Sequence, residues 1–179
     1  MTRCLLHGVT LSSAQRKPIY PRGMCAAGLD ECEANVNEGT PTQTASRFYE
    51  RFDGSDIDAM LSVFSPDLET TDPGMGTVHG VAPFREDLET LKRAMPDARA
   101  VIERIFEAGD AAIVEGRLVG TFTGPLSSPE GDVAPNGAKV DLRFADVSRI
   151  RDGEIFSYHT YYDQLGMLTQ LGLMGTTAK

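Results

Sequence analysis

The chain has 179 residues, with 17 Lys and Arg against 26 Asp and Glu and a formal net charge of -9. Hydrophobic residues make up 41% and charged residues 24%, the composition of an ordinary globular protein with a real core. No apolar run approaches the roughly 18 residues of a membrane-spanning helix, and the acidic balance excludes the basic footprint of a nucleic-acid binder.

Residues 1–40 differ from the rest of the chain. Arg3, Arg16, Lys17 and Arg22 precede the first acid, Asp30, and Cys4, Cys25 and Cys32 all fall here. The stretch from Cys4 to Val9 is too short and polar for a secretory core. The expectation is a disordered N-terminal tail over 1–40 and one folded domain over 41–175. An acid-free transit peptide and a start at Met24 are the alternatives. Beyond residue 40 there is no Cys and only His79 and His159, so a disulfide, a thiolate zinc site or a multi-histidine centre is not expected there. Neither a metal nor an organic cofactor is expected.

From Thr44 a helical period emerges: Ala45, Phe48, Tyr49 and Phe52 share a face, and Asp53-Gly54 stops the helix. Ser55 with Asp58 reads as a capping box for a second short helix carrying Ile57, Met60, Leu61 and Phe64, which ends before Pro66. Leu68 to Asp72 reads as a strand cut off by Pro73-Gly74. Phe84, Leu88, Leu91 and Met95 mark a third helix, closed by Pro96. The remainder is β-rich: Ala98 to Glu107, Ala111 to Thr123, then Asp141 to Arg151 and Glu154 to Tyr162 around an Asp152-Gly153 turn. Asp163 caps a last helix with Leu165, Leu168 and Leu171. The order predicts an α+β domain, three helices against a curved antiparallel sheet and a short closing helix, enclosing a cone-shaped pocket. The long connection over 123–137 is either a surface loop or a lid over that pocket.

The last hairpin admits two registers. A two-residue turn sets Asp146 opposite His159, whereas a three-residue loop with Gly153 as a bulge sets Asp146 opposite Tyr158. The bulged register is preferred because it gathers Leu142, Phe144, Asp146, Phe156, Tyr158, Thr160 and Tyr162 on one face. The arginines, His159, Val147, Ile155 and Tyr161 then face outward. Asp146 becomes a lone carboxylate on an aromatic wall, where desolvation raises a carboxyl into the working range of a general base or acid. Tyr158 and His79 are the expected hydrogen-bond donors beside it. Tyr49, Phe52 and Asp72 are expected to contact substrate with Phe144, Phe156, Thr160 and Tyr162.

Several segments carry a family resemblance. They are Phe48-Tyr49-Glu50-Arg51-Phe52, Gly80-Val81-Ala82-Pro83-Phe84, Gly120-Thr121-Phe122-Thr123-Gly124, the run from Asp146 to Ile155, Tyr162-Asp163-Gln164-Leu165 and Gln170-Leu171-Gly172. In order and spacing, over roughly 43–173, they resemble the SnoaL-like polyketide cyclase family of the nuclear transport factor 2-like superfamily. The resemblance implies an α+β cone, an oligomer packed through sheet faces, and carboxylate acid/base chemistry without metal or Schiff base. It implies that the family's acid/base Asp position is Thr160 here, and that the position usually held by His is Asp146. The expected function is thus a cytoplasmic, cofactor-independent cyclase or isomerase of secondary metabolism. Its substrate would be a hydrophobic, oxygenated, polyketide-like small molecule, and the expected assembly is a homodimer. The alternatives are a non-catalytic ligand-binding protein, or a hydrolase in which Asp146 activates water with Asp72 or Arg117.

Overall fold

The structure is a computed structural model; it describes residues 39–127 and 132–174, which all fall in one compact unit. The tail expected over 1–40 therefore lies outside the described residues except for its last two, as do residues 128–131 of the long connection.

The helices start where side chains can satisfy free backbone N–H groups. In α1 (Pro41–Phe52) Thr40 accepts from the N–H of Gln43 while the Gln43 side chain reaches back to the Thr40 N–H, and Pro41 occupies the first turn. The helix begins three residues before the apolar period does, which is why pattern reading placed it at Thr44. For α2 (Ile57–Leu61) the cap is Asp56, which accepts from the Ala59 N–H, and not the expected Ser55. Phe64 leaves the helix and opens β1 (Phe64–Asp72), so the strand starts earlier than Leu68 and contains Pro66. The pairing of β1 with its neighbour is irregular between Phe64 and Glu69, which accommodates a residue without a ladder donor. A short strand that sequence reading missed, β2 (Gly76–His79), folds back on β1, and α3 (Val81–Ala94) comes next.

Then come β3 (Arg99–Ala108), β4 (Ala111–Thr121), β5 (Lys139–Arg151), β6 (Glu154–Tyr162) and α4 (Gln164–Gln170), the last capped by Asp163 as expected. The six strands form one sheet in the order β2-β1-β6-β5-β4-β3. It is not purely antiparallel: β1 runs parallel to β6. That pairing carries the chain's N-terminal half onto its C-terminal strand, beside Tyr158.

Helices α1 and α3 pack into the concave face. Phe48 is 2% exposed and makes edge contacts with Tyr49, Phe52, Phe64 and Tyr158. Such aromatic pairs add about 0.5–1.5 kcal/mol each beyond the area they bury. Lys92 of α3 ties two elements together, donating from Nζ to the carbonyls of Phe52 and Ala98 with the ammonium over the Phe52 ring.

The hairpin register corrects both sequence alternatives. Asp152 and Gly153 take positive φ values of 55° and 78°, the mark of a two-residue type I′ turn, and Arg151 pairs with Glu154. The pairing then shifts between Arg149 and Ile150, so that Asp146 lies opposite Thr160 instead of Tyr158. The turn is tight and the bulge sits one step into the strand. Beyond the bulge the face assignment holds. Before it the assignment inverts: Ile155 is fully buried, while Phe156 turns outward beneath the guanidinium groups of Arg149 and Arg151.

Candidate functional site

The cone encloses a cavity of about 210 Å³, walled by residues of α1, β1, α3, β4, β5, β6 and α4. Its walls are mostly aromatic and aliphatic, and its polar side chains converge at two places.

The first is Asp146, in mid-β5 and 2% exposed. Its Oδ2 accepts hydrogen bonds from the phenols of Tyr49 and Tyr158, each at 2.5 Å. Tyr49 reaches it from the cone's helical side, and Tyr158 from the neighbouring strand. Oδ1 has no hydrogen-bond partner. Burial pushes the Asp146 carboxyl up to about 6, against the lowering effect of both phenols and of Thr160 directly opposite. Desolvation thus outweighs the polar groups around the carboxyl, the ordering expected where low polarity penalises charge more than local hydrogen bonds reward it. Burial and the adjacent carboxylate push both phenols well above the usual tyrosine range. They remain hydrogen-bond donors throughout the pH range of biology.

A glycine sets the position of Tyr49. Its ring stacks on Phe144 at 6.1 Å, and Phe144 lies opposite Gly116 on β4. A Cβ at Gly116 would lie 2.9 Å from the Phe144 ring and 2.8 Å from the Val101 carbonyl, so only glycine leaves the ring its place.

The second polar place joins Asp72, at the end of β1, with Asp87 of α3 and Tyr162 of β6, all on the cavity wall. Asp72 Oδ1 accepts from the N–H groups of Gly74 and Met75 and, at 3.2 Å, from the Tyr162 hydroxyl. Burial and the Asp72 charge push Asp87 up to about 6. Burial and the same carboxylate push Tyr162 up.

Of the expected site residues, Asp146, Tyr158, Tyr49, Phe52, Asp72, Phe144, Thr160 and Tyr162 all line this cavity. Two do not. His79 lies on the exposed edge strand β2, its ring 3.9 Å from Glu69 and 74% exposed; register places it opposite Glu69, whose side chain alternates away from the inward-facing Thr70. Phe156 is turned out by the bulge. Arg117, weighed for water activation, bridges Glu103 and Asp141 outside the cavity. His159 faces outward as expected, 3.6 Å from Glu69.

Asp87 was missed by sequence reading. It sits one residue before the core position Leu88, and in a helix with several acids nothing local sets it apart. Only the strand opposite, bringing Asp72 to it, does so. Among the described residues no group of three or more His, Cys, Asp or Glu side chains is placed to hold a metal ion. The long connection is anchored to the wall: Thr123 and Gly124 donate to the Ala94 carbonyl, and Leu126, bridged to Val133, lines the cavity.

The site and the cone have recognisable relatives. Residues 45–158 match the SnoaL-like domain. Among solved structures, IdmH of Streptomyces antibioticus, a candidate polyketide cyclase, is 25% identical with a TM-score of 0.64, over 75% of this chain and 99% of its own. A SnoaL-like candidate polyketide cyclase from Jannaschia sp. CCS1 superposes with a TM-score of 0.67 at 20% identity, over 83% of this chain and all of its own. A candidate polyketide cyclase from Pseudomonas putida KT2440 gives 0.62 at 24%, over 74% and 98%. No curated protein is significantly similar to the chain. The cone is the nuclear transport factor 2-like fold, and with the match spanning most of the described residues the chain belongs to the SnoaL-like family.

Proposed function

We propose that the protein is a cofactor-independent cyclase or isomerase acting on a hydrophobic, oxygenated small molecule. The observation that carries this reading is Asp146: buried, its carboxyl pushed up to about 6 by burial, and bound through only one of its oxygens. With Oδ2 held by two phenols, Oδ1 is the atom that takes a proton from carbon α to a substrate carbonyl. The C–H electron pair becomes the enolate. In an isomerisation Asp146 returns the proton at another carbon. In a cyclisation the enolate carbon attacks a second carbonyl of the same molecule, and the resulting alkoxide takes the proton back. The Tyr158 phenol is committed to Asp146, and the Thr160 hydroxyl on the cavity wall only orients the substrate carbonyl.

The test uses 2-tetralone, whose activated CH₂ exchanges in D₂O. The protein should accelerate exchange over buffer, and Asp146→Asn should remove on the order of 10²–10⁴ of that rate while ligand binding persists. No acceleration by the unaltered protein, or an Asp146→Asn protein that exchanges equally fast, would leave plain ligand binding as the reading.

In the same reading the chain is a cytoplasmic homodimer, packed through the outward sheet face that carries Val147 and the 55% exposed Tyr161. A monomer mass by light scattering at tens of micromolar would contradict it. The domain begins near residue 41, and a chain starting near Glu38 should melt within a degree or two of full length. Among the described residues no helix is long and apolar enough to cross a membrane.

A further inference from the structure

The second polar place in the cavity makes no hydrogen bond to Asp146, whose Oδ2 is held by Tyr49 and Tyr158. Asp72 is fixed there by its own turn, and Asp87 faces it from α3. Charge inside the cavity is one-sided. Among the described residues that line it, the ionisable groups besides tyrosines are Asp72, Asp87 and Asp146, with no Lys, Arg or His. Nearby cations are directed elsewhere: Arg85 pairs with Asp58 and Glu89, and Lys92 is held by backbone carbonyls.

An independent observation points to what this wall receives. Thr70 stands two residues before Asp72 on the same strand face, is 2% exposed and lines the cavity, yet its Oγ1 has no hydrogen-bond partner. Asp146 Oδ1 is unpaired as well. Buried polar atoms in folded proteins are almost always satisfied, so the unpaired Thr70 hydroxyl beside Asp72 marks a place for a polar group of a ligand. A neutral hydroxylated ligand supplies one donor but leaves the carboxylates repelling each other. A carboxylate ligand adds a fourth negative charge. An ammonium supplies three donors and one positive charge.

We propose that the cavity selects a ligand with an apolar, ring-sized body and a protonated amine, the amine seated on the wall formed by Asp72, Asp87 and Thr70. This deepens the cyclase or isomerase reading by naming a substrate class, and it rests on that reading only in taking the cavity as the substrate site.

Three probes of one shape separate the possibilities: 2-naphthylmethylamine, 2-naphthylmethanol and 2-naphthoate, titrated calorimetrically into the full chain at pH 7.5. The amine should bind about tenfold or more tighter than the alcohol, and the carboxylate weakest, the tenfold being what one charge-assisted hydrogen bond is worth. Asp87→Asn and Asp72→Asn should each bring the amine to within about threefold of the alcohol while the alcohol's own affinity holds. An amine that binds no better than the alcohol overturns the proposal. So does a preference that survives both substitutions, or failure of all three probes to bind. None of these probes has an acidic C–H, so the outcome is independent of whether Asp146 exchanges protons on 2-tetralone.

Discussion

Two carboxylate stations share one cavity, and their surroundings give them different work. Asp146 is sealed in the cone and held by side chains alone, two phenols drawn from opposite layers of the fold. Asp72 is half-buried, and its oxygen is satisfied chiefly by the backbone of its own turn. A carboxylate fixed by side chains that themselves resist ionisation can gain and lose a proton without rearranging the chain. One fixed by backbone N–H groups keeps its place. The difference teaches that a raised carboxyl alone does not locate a base: Asp87 is raised as far as Asp146, and burial and the Asp72 charge push both upward. The partners distinguish a proton-transfer site from a charge-recognition site.

The largest expected effect separates the two stations. Asp146→Asn should lower 2-tetralone exchange by a factor on the order of 10²–10⁴, whereas Asp87→Asn should lower it less than about threefold. Equal losses in both variants would erase the distinction between the stations. The next effect is on pH dependence. Tyr49→Phe and Tyr158→Phe each remove a donor that favours the ionised Asp146, so its pKa should rise above about 6. A hydrogen bond to a charged group is worth about 1.5–3 kcal/mol, so the rising limb of the exchange profile should move up by about one pH unit or more. A limb that stays in place would mean that the phenols only pack.

Most of this fold was legible in the sequence, and the missed parts share a physical cause. The helical faces of Phe48 and Leu88 and the cap at Asp163 are local signals, and all were readable. The pairing of β1 with β6 is set by contacts far apart in the chain, so the parallel edge of the sheet left no local mark. Phe156 was misplaced because turn type and bulge position are separate choices. The Asp152-Gly153 pair announces a tight turn, but nothing in the residues after it announces a bulge one step later. The bulge is paired with the burial of Ile155 and the stacking of two arginines on Phe156. His79 was expected beside Asp146, but the unread strand β2 carries it to the edge of the sheet. At the site, Asp146 stood out as a charge on an apolar face, while Asp87 did not, because its helix carries several other acids.

A smaller effect concerns stability. Asp146 and Asp87 titrate near 6 when folded and near 3.9 when unfolded, so between those values the folded chain binds more protons. Their contribution to stability is therefore greatest below about pH 4 and declines as pH rises to about 6. Asp67, Asp97 and Asp110 act in the opposite sense, since their lowered carboxyls favour the folded state above pH 4 and lose that contribution on acidification. Asp87→Asn should raise the melting temperature at pH 7.5 by about 2–4 °C and flatten its decline from about pH 4 to 6. A lower melting temperature would show that the Asp72–Asp87 repulsion is already relieved in the folded chain. Gly116→Ala probes the sealed station from behind. The added methyl forces Phe144 off the Tyr49 ring, at a cost of about 1–3 kcal/mol in stability, and slows exchange.

The smallest expected effect belongs to Thr160, which lies opposite Asp146 and between Tyr158 and Tyr162 on the strand that joins the stations. Its hydroxyl lowers the Asp146 carboxyl less than either phenol does. Thr160→Ala should therefore move the rising limb of the exchange profile upward by less than Tyr49→Phe does, and should cost less than about tenfold in rate, since a hydroxyl cannot serve as a base near neutral pH without a stronger partner. Thr160→Val, which keeps the shape and removes the hydroxyl, should match Thr160→Ala in the profile and exceed it in stability. If Thr160→Ala instead abolished exchange while Asp146→Asn retained it, the proton-transferring group would sit on β6, and Asp146 would join Asp72 as a carboxylate that only binds.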